Sequence, residues 1–290
     1  MKIMYNDNAL YPCEILDRHI AEGTLPEGDI YYGDIESIDI STFKNYTGWH
    51  LFAGIGGIPY GLRLGGWLDE WPILTAGFPC QPVSNVGKKL AQADPRWLWP
   101  EVVRVLRVVR PPVVLLENTP GLLSRGMGDV LRDLAQSGYD AKWRVLSAAD
   151  VGAPHLRERV WIVAYPDGLG PQGGRLSRIL WERFSKTVGR SGSMENAQSQ
   201  RLAYPENQRN VRRNRCLPED VKTTAVGDYH RDRAQANDGR EWWAAEPDVG
   251  RVAHGLPHRV DRLKSLGNAV VPQAVAELVP WILESEEESK

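Results

Sequence analysis

Pro72-Ile73-Leu74-Thr75-Ala76-Gly77-Phe78-Pro79-Cys80-Gln81-Pro82 carries a largely apolar run into a proline–cysteine pair. A short run of this kind, closed by a glycine, reads as a buried strand. Cys80 then lies just past the carboxyl end of that strand, where open α/β sheets bind their ligands. Downstream, Val113-Val114-Leu115-Leu116 runs into Glu117-Asn118, a second apolar strand ending on a carboxylate. Upstream, Leu51-Phe52-Ala53-Gly54-Ile55-Gly56-Gly57 is a third strand that enters a glycine turn. A nucleophile, an acid and a ligand-binding turn at three strand ends describe an enzyme site.

The surrounding chain alternates in the same way. Apolar runs predict strands over 2–6, 30–35, 47–53, 72–77, 113–118, 142–147 and 159–165. Helical spacing predicts helices over 10–22, 56–66, 96–109 and 127–137, with Pro111-Pro112 stopping the third. Such alternation implies a parallel sheet covered on both faces. From Pro166 to about Arg240 the apolar periodicity fades and Gly, Arg, Asn, Gln and Ser dominate, which marks a boundary. A last helix is expected over 271–283, packing back on the main domain.

These segments resemble the C5-cytosine DNA methyltransferases. The resemblance rests on Phe52-Ala53-Gly54-Ile55-Gly56, Pro79-Cys80-Gln81, Glu117-Asn118-Thr119, His155-Leu156-Arg157-Glu158-Arg159 and Gly267-Asn268-Ala269-Val270. It implies an α/β fold: a Rossmann-like S-adenosylmethionine-dependent methyltransferase sheet with a small, mostly irregular target-recognition domain. Residues 1–165 would form the catalytic and cofactor-binding domain, 166–245 the target-recognition region, and 246–290 a segment returning to the catalytic domain. The implied activity is methyl transfer from S-adenosylmethionine to C5 of a flipped cytosine through a covalent adduct between Cys80 and C6. An RNA cytosine-C5 methyltransferase and a catalytically inactive DNA-binding homologue stay open as alternatives.

The resemblance assigns roles residue by residue. Cys80 is the nucleophile, and Glu117 holds a proton on the ring nitrogen, which needs a carboxyl with a raised pKa. Asn118 fixes the backbone around it. Arg157 and Arg159, alternating at a strand start, hold the base carbonyl and a phosphate. Gln81, Ser84, Lys88 and Lys89 belong to a basic loop against the DNA. Phe52, Gly54 and Gly56 receive the cofactor at a helix N-terminus, and Asn268 and Val270 complete the pocket. His155 stands where the family commonly has Gln, and reads as a structural histidine.

The order of motifs is unusual. Only a helix separates Gly57 from Trp71, so the family's second and third strands are missing from their usual place. Tyr5-Asn6-Asp7-Asn8 resembles the second strand's end and Gly33-Asp34-Ile35 the third's, with Gly28-Asp29-Ile30 ranked behind it. A permuted chain is implied, in which Asp7 takes the ribose and Asp34 with Ile35 the adenine. Asn8 occupies a place where the family often has a Trp. The competing reading is an unrelated N-terminal extension.

Composition sets bounds on the rest. The 290 residues have a net charge of −2 and 42% hydrophobic content, the balance of an ordinary soluble protein. Residues 166–240 hold 14 Lys+Arg against 9 Asp+Glu, while the remainder holds 21 against 28. Positive charge is therefore gathered where a DNA-facing module would need it. Three widely spaced cysteines, Cys13, Cys80 and Cys216, argue against a disulfide framework or a zinc site, so no metal is expected. No apolar run is read as a membrane span and no signal pattern is read at the N-terminus. The expected setting is the cytoplasm of a prokaryotic or phage-infected cell. The expected partner is double-stranded DNA, bound by a monomer that works beside a cognate restriction system.

Overall fold

The computed structural model describes residues 2–79, 97–167 and 259–283. Seven strands form one sheet: β1 (Ile3–Asp7), β2 (Gly28–Tyr32), β3 (Gly48–Leu51), β4 (Ile73–Ala76), β5 (Val114–Asn118), β6 (Tyr139–Ser147) and β7 (Glu158–Pro166). Their spatial order is β2-β1-β3-β4-β5-β7-β6. The first five in that order are mutually parallel, and β7 runs antiparallel to both of its neighbours. The sheet is therefore mixed, not purely parallel. The reason is the length of one connection: residues 148–157 are too few for a crossover helix, so β7 must fold back along β6.

Both faces of the sheet are buried, as the alternation along β5 requires. Val114 and Leu116 join one core with Leu74, Leu106 and Ile162. Val113 and Leu115 join another with Ile73, Trp161 and Leu278. The first core lies beneath α3 (Trp99–Val109) and α5 (Met127–Gln136). The second lies beneath α2 (Gly57–Leu64) and a C-terminal helix, Pro272–Leu283. A smaller cluster of Ile3, Tyr5, Leu16 and Leu25 sits under α1 (Leu10–Ala21). The short α4 (Gly121–Arg125) and the polar helix α6 (Arg259–Asn268) complete the described helices, so the C-terminal helix is α7.

The N-terminal strands are integral to the sheet. β1 pairs with β2 on one side and with β3 on the other. The chain returns from β2 to β3 through two short 3-10 turns, Ile35–Ser37 and Thr42–Asn45. Ile35, Phe43 and Tyr46 anchor this crossing in the first core. Arg104 of α3 donates to the Ile35 carbonyl at 2.9 Å, and Trp49 Nε1 donates to the Phe43 carbonyl at 2.8 Å. Asp29, the lower-ranked acid, faces Lys2 at 2.8 Å and accepts from the Tyr46 hydroxyl at 2.6 Å. It thus ties β2 to the start of β1 and to the crossing.

Residues 266–283 hold a single charged residue, Glu277, and so do form an apolar stretch of membrane-spanning length. In the fold that stretch is broken between α6 and α7. Val275, Leu278, Val279 and Ile282 of α7 are buried in the second core. Helix α2 and its cap meet the C-terminal segment along Gly57, Gly61 and Gly65, four residues apart on one side: Gly57 faces Val270, and Gly61 and Gly65 face α7. A Cβ on Gly61 would stand 2.5 Å from the Pro272 carbonyl oxygen, and one on Gly65 2.5 Å from Val279 Cγ2.

Candidate active site

Parallel pairing puts the carboxyl ends of β1, β3, β4 and β5 along one edge of the sheet. Asn6 stands level with Leu51, Leu51 with Ala76, and Ala76 with Leu116. Because β7 is antiparallel, its first residues reach the same edge, with Val160 opposite Asn118. Asp7, the glycine turn, Gly77-Phe78-Pro79, Glu117-Asn118 and the Arg157–Arg159 segment therefore converge, although they are spread over about half of the chain. Cys80, Gln81, Ser84, Lys88 and Lys89 lie outside the described residues, as does the basic segment from residue 168 onward. Pro79 is the last described residue before the cysteine.

Glu117 forms an ion pair at this edge. Its Oε1 accepts from Arg159 Nε at 2.7 Å, and the two side chains are 12% and 19% exposed. Glu117 and Trp161 are level across β5 and β7, so Arg159, two residues from Trp161, lies on the same face. Burial pushes the Glu117 pKa above its ordinary value and outweighs the opposing attraction of Arg159 and Arg157. The other oxygen, Oε2, lies 3.2 Å from where a Cβ on Gly77 would stand. A side chain there would crowd the carboxylate, which accounts for a glycine three residues before Cys80.

Asn118 faces the opposite side of β5. Its amide donates to the Phe78 carbonyl at 3.2 Å, and its Oδ1 accepts from the Thr119 N–H at 2.9 Å. Phe78 is itself buried against Trp97 and Trp99. The backbone entering Pro79-Cys80 is thus pinned by an amide and by an aromatic cluster.

Arg157 stands just outside β7 with a φ of 21°. Its Nη2 donates to the carbonyls of Gly267 and Ala269 at 3.0 and 2.6 Å. The C-terminal segment is therefore fastened to the strand that carries Arg159. Val270 of the same segment reaches the glycine turn, where its Cγ2 lies 2.8 Å from the Cβ position of Gly57. Asn268 ends α6 and is exposed, as is His155.

The turn after β3 has an unusual backbone. Phe52, Gly54 and Gly56 have φ of 52°, 55° and 85°. For Phe52 that conformation is a strained one. Phe52 packs against the first core. A Cβ on Gly56 would stand 2.6 Å from Leu25, so this glycine permits close packing. Around the Cβ position of Gly54 there is open space. Asp7 closes the turn from β1: its Oδ2 accepts from the Gly54 N–H and its Oδ1 from the Ala9 N–H, both at 2.9 Å.

The β2 end lies beside it. Asp34 is exposed and accepts from Asn8 Nδ2 at 2.8 Å. Ile35 turns its side chain into the core, leaving only its backbone toward any ligand. Asn6 is buried and bridges the carbonyls of Tyr31 and Gly33 at 3.0 and 2.9 Å. The bonds of Asn6 and Asn8 have one signal in the sequence, three consecutive polar residues at a strand end. His50, stacked on Tyr5 and bonded to Thr75 Oγ1 at 2.8 Å, is a core histidine whose pKa burial lowers to about 3.

Residues 67–243 match the family model described as C-5 cytosine-specific DNA methylase. The chain is 32% identical over 138 residues to the type II methyltransferase M.MspI of Moraxella sp, a match covering 44% of this chain and 32% of that enzyme. It is 40% identical over 108 residues to M.BsuFI of Bacillus subtilis, covering 36% of this chain and 26% of that enzyme. The matched stretches thus span about a third or less of these two relatives. Among solved structures, the Entamoeba histolytica methyltransferase EhMeth aligns over 56% of this chain and 44% of its own, at 18% identity and a TM-score of 0.38.

Proposed function

Because the chain belongs to the C-5 cytosine-specific DNA methylase family, we propose that it methylates C5 of cytosine in double-stranded DNA with S-adenosylmethionine as donor. The observation that carries this reading is the largely buried Glu117–Arg159 pair. It stands at the strand end beside the one that runs into Pro79-Cys80. A carboxyl whose pKa is raised by burial is suited to hold a proton on a ring nitrogen.

The chemistry follows from the residue types. Cytosine C5 is a poor nucleophile until a thiolate adds to C6. Cys80 supplies that thiolate. Its sulfur bonds to C6, and the electron pair of the C5–C6 double bond moves into the ring. Glu117 stabilises the charge at N3 by sharing its proton. C5 would take the methyl group as the donor's carbon–sulfur bond breaks, its electron pair staying on the donor sulfur as a thioether; a base then removes the C5 proton, and the Cys80 sulfur leaves as thiolate with the C5–C6 double bond restored. Arg159 holds Glu117 in place, and its guanidinium keeps donors for a base carbonyl or a phosphate. Asn118 positions the backbone that delivers Cys80.

The edge also fits an adenosyl sulfonium cofactor. Such a molecule presents two ribose hydroxyls, an exocyclic amine and a carboxylate. Asp7 and Asp34 are acceptors at neighbouring strand ends, and Gly54 leaves open space at the head of α2. When bound, the cofactor supplies an electrophilic methyl group. In this reading β1 and β2 serve as the second and third strands of the family's sheet in a permuted chain; the order β2-β1-β3 supports it. Residues 166–245 are proposed as the target-recognition region on the strength of their positive charge, with the recognised sequence set there. A companion restriction enzyme and a cytoplasmic setting belong to the same proposal.

The test is trapping. A DNA duplex with 5-fluorocytosine at the target cannot release fluorine as a cation, so the Cys80 adduct should persist in a denaturing gel when the cofactor is present. Cys80→Ser should give no adduct and no transfer while still binding DNA. Transfer by the pure Ser variant would overturn the covalent mechanism, and labelling of RNA but not DNA would move the substrate.

A further inference from the structure

The tripeptide Asn6-Asp7-Asn8 at the end of β1 sends three polar side chains to three neighbours. Asn6 holds the β2 backbone, Asp7 holds the Gly54 turn, and Asn8 holds the side chain of Asp34. The third of these is the least expected. An exposed aspartate beside solvent ordinarily samples several rotamers. Here the Asp34 backbone is already fixed, because its carbonyl accepts from Ser37 Oγ at 2.6 Å and Ser37 N at 3.0 Å. Gly33, at a φ of 141° that side-chain-bearing residues avoid, donates to the Asp7 carbonyl at 3.0 Å. The Asn8 amide then adds a hold on Oδ1.

A carboxylate only accepts hydrogen bonds, so the Asn8 group facing it is the NH2. The choice of an amide matters. A lysine or arginine in this place would neutralise Asp34 and compete for both oxygens. A neutral amide fixes one oxygen and leaves the other with its negative charge and its lone pairs.

We propose that Asn8 is a positioning residue for base selection: by holding Asp34 Oδ1 it presents Oδ2 to a primary amine, so that the site takes an aminopurine nucleoside and rejects an oxopurine one. An oxopurine would set a carbonyl oxygen against the carboxylate, acceptor against acceptor, with both left unpaired. The inference rests on the reading of the β1 and β2 ends as the adenosyl site.

Calorimetric titration of the full chain with S-adenosylhomocysteine and with S-inosylhomocysteine separates the two ideas. The wild type should prefer the adenosyl compound by about tenfold or more, the low end of what a hydrogen bond to a charged group is worth. Asn8→Ala should cut that preference about fivefold, the worth of one ordinary hydrogen bond between two exposed groups, mainly through weaker adenosyl binding. Asn8→Asp, which sets two carboxylates together, should cut it further. Asp34→Ala should abolish the preference, and adding Asn8→Ala to it should change nothing more. Asn8 is exposed, so all of these variants should melt close to the wild type. If Asn8→Ala keeps the full preference while Asp34→Ala loses it, the positioning role is wrong and the site reading stands. If the wild type binds neither compound, or Asp34→Ala keeps the preference, the site reading fails and the inference falls with it.

Discussion

Replacing Gly61 by alanine tests whether the packing of α2 on α7 holds the glycine turn in place. The added Cβ would stand 2.5 Å from both the Pro272 carbonyl oxygen and Val275 Cβ, where ordinary contact begins near 3.4 Å. Neither neighbour is the far end of a flexible side chain, so the helices must separate by about 0.9 Å. Overpacking of this kind costs about 1–3 kcal/mol. Alanine's better helix propensity returns about 0.5–1 kcal/mol. The net expectation is a loss of up to about 2.5 kcal/mol in urea denaturation. Gly128 supplies the control within the same chain. It lies in α5, nothing stands within 4 Å of its Cβ position, and its φ is not positive. Gly128→Ala should therefore stabilise by about 0.5–1 kcal/mol. Because α2 starts at Gly57 against Val270, displacing it should also weaken S-adenosylhomocysteine binding, whereas Gly128→Ala should not. A Gly61→Ala protein as stable as Gly128→Ala, with unchanged affinity, would refute the reasoning.

Other outcomes follow from the site. The Glu117 carboxyl is raised above 4.5, so the folded state binds this proton more tightly than the unfolded state. Its contribution is present below about pH 4.5 and is lost as pH rises through the raised value; Glu117→Gln should remove that slope from denaturation curves measured across pH. The same variant should slow single-turnover methylation sharply while leaving cofactor affinity near wild type, and the reverse pattern would move Glu117 to the cofactor. Asp7→Ala should weaken S-adenosylmethionine binding by about 1–3 kcal/mol in calorimetry, since it removes both the ribose acceptor and the anchor of Gly54. Asp29→Ala should leave affinity unchanged and lower only the melting temperature, because Asp29 serves Lys2 and Tyr46. Asn118→Ala should reduce the rate of adduct trapping more than it reduces DNA affinity, which a gel time course with 5-fluorocytosine duplexes reads directly.

Much of this architecture is legible where burial is two-sided. Val113-Val114-Leu115-Leu116 alternates between two cores, and its continuous apolarity announces a central strand without further help. The direction of β7 is not legible that way, because period two is the same forwards and backwards; the ten residues before it carry the information instead. Helix α6 escapes a periodicity reading because most of it is exposed, so no apolar stripe forms. At the candidate site, residue types single out Glu117, Asn118 and Arg159, since each ends or starts an apolar run. The bonds of Asn6, Asn8 and Arg157 depend on which strands and segments become neighbours. No local pattern encodes that the Arg157 guanidinium meets carbonyls more than a hundred residues later.

The union of α2 with α7 sets an order of events during synthesis. Ile58, Leu62, Trp67 and Trp71 are made early, and the helix that covers them is made roughly 200 residues later. Until α7 leaves the ribosome, one face of the sheet has apolar surface with no lid. At about 5–20 residues per second, that interval is on the order of ten seconds or more. Among the described residues, the first core needs no such wait, since its members all lie at or before residue 164. Nascent chains halted before Pro272 should therefore hold a formed sheet with one wet face, and that face is where a chaperone would find them.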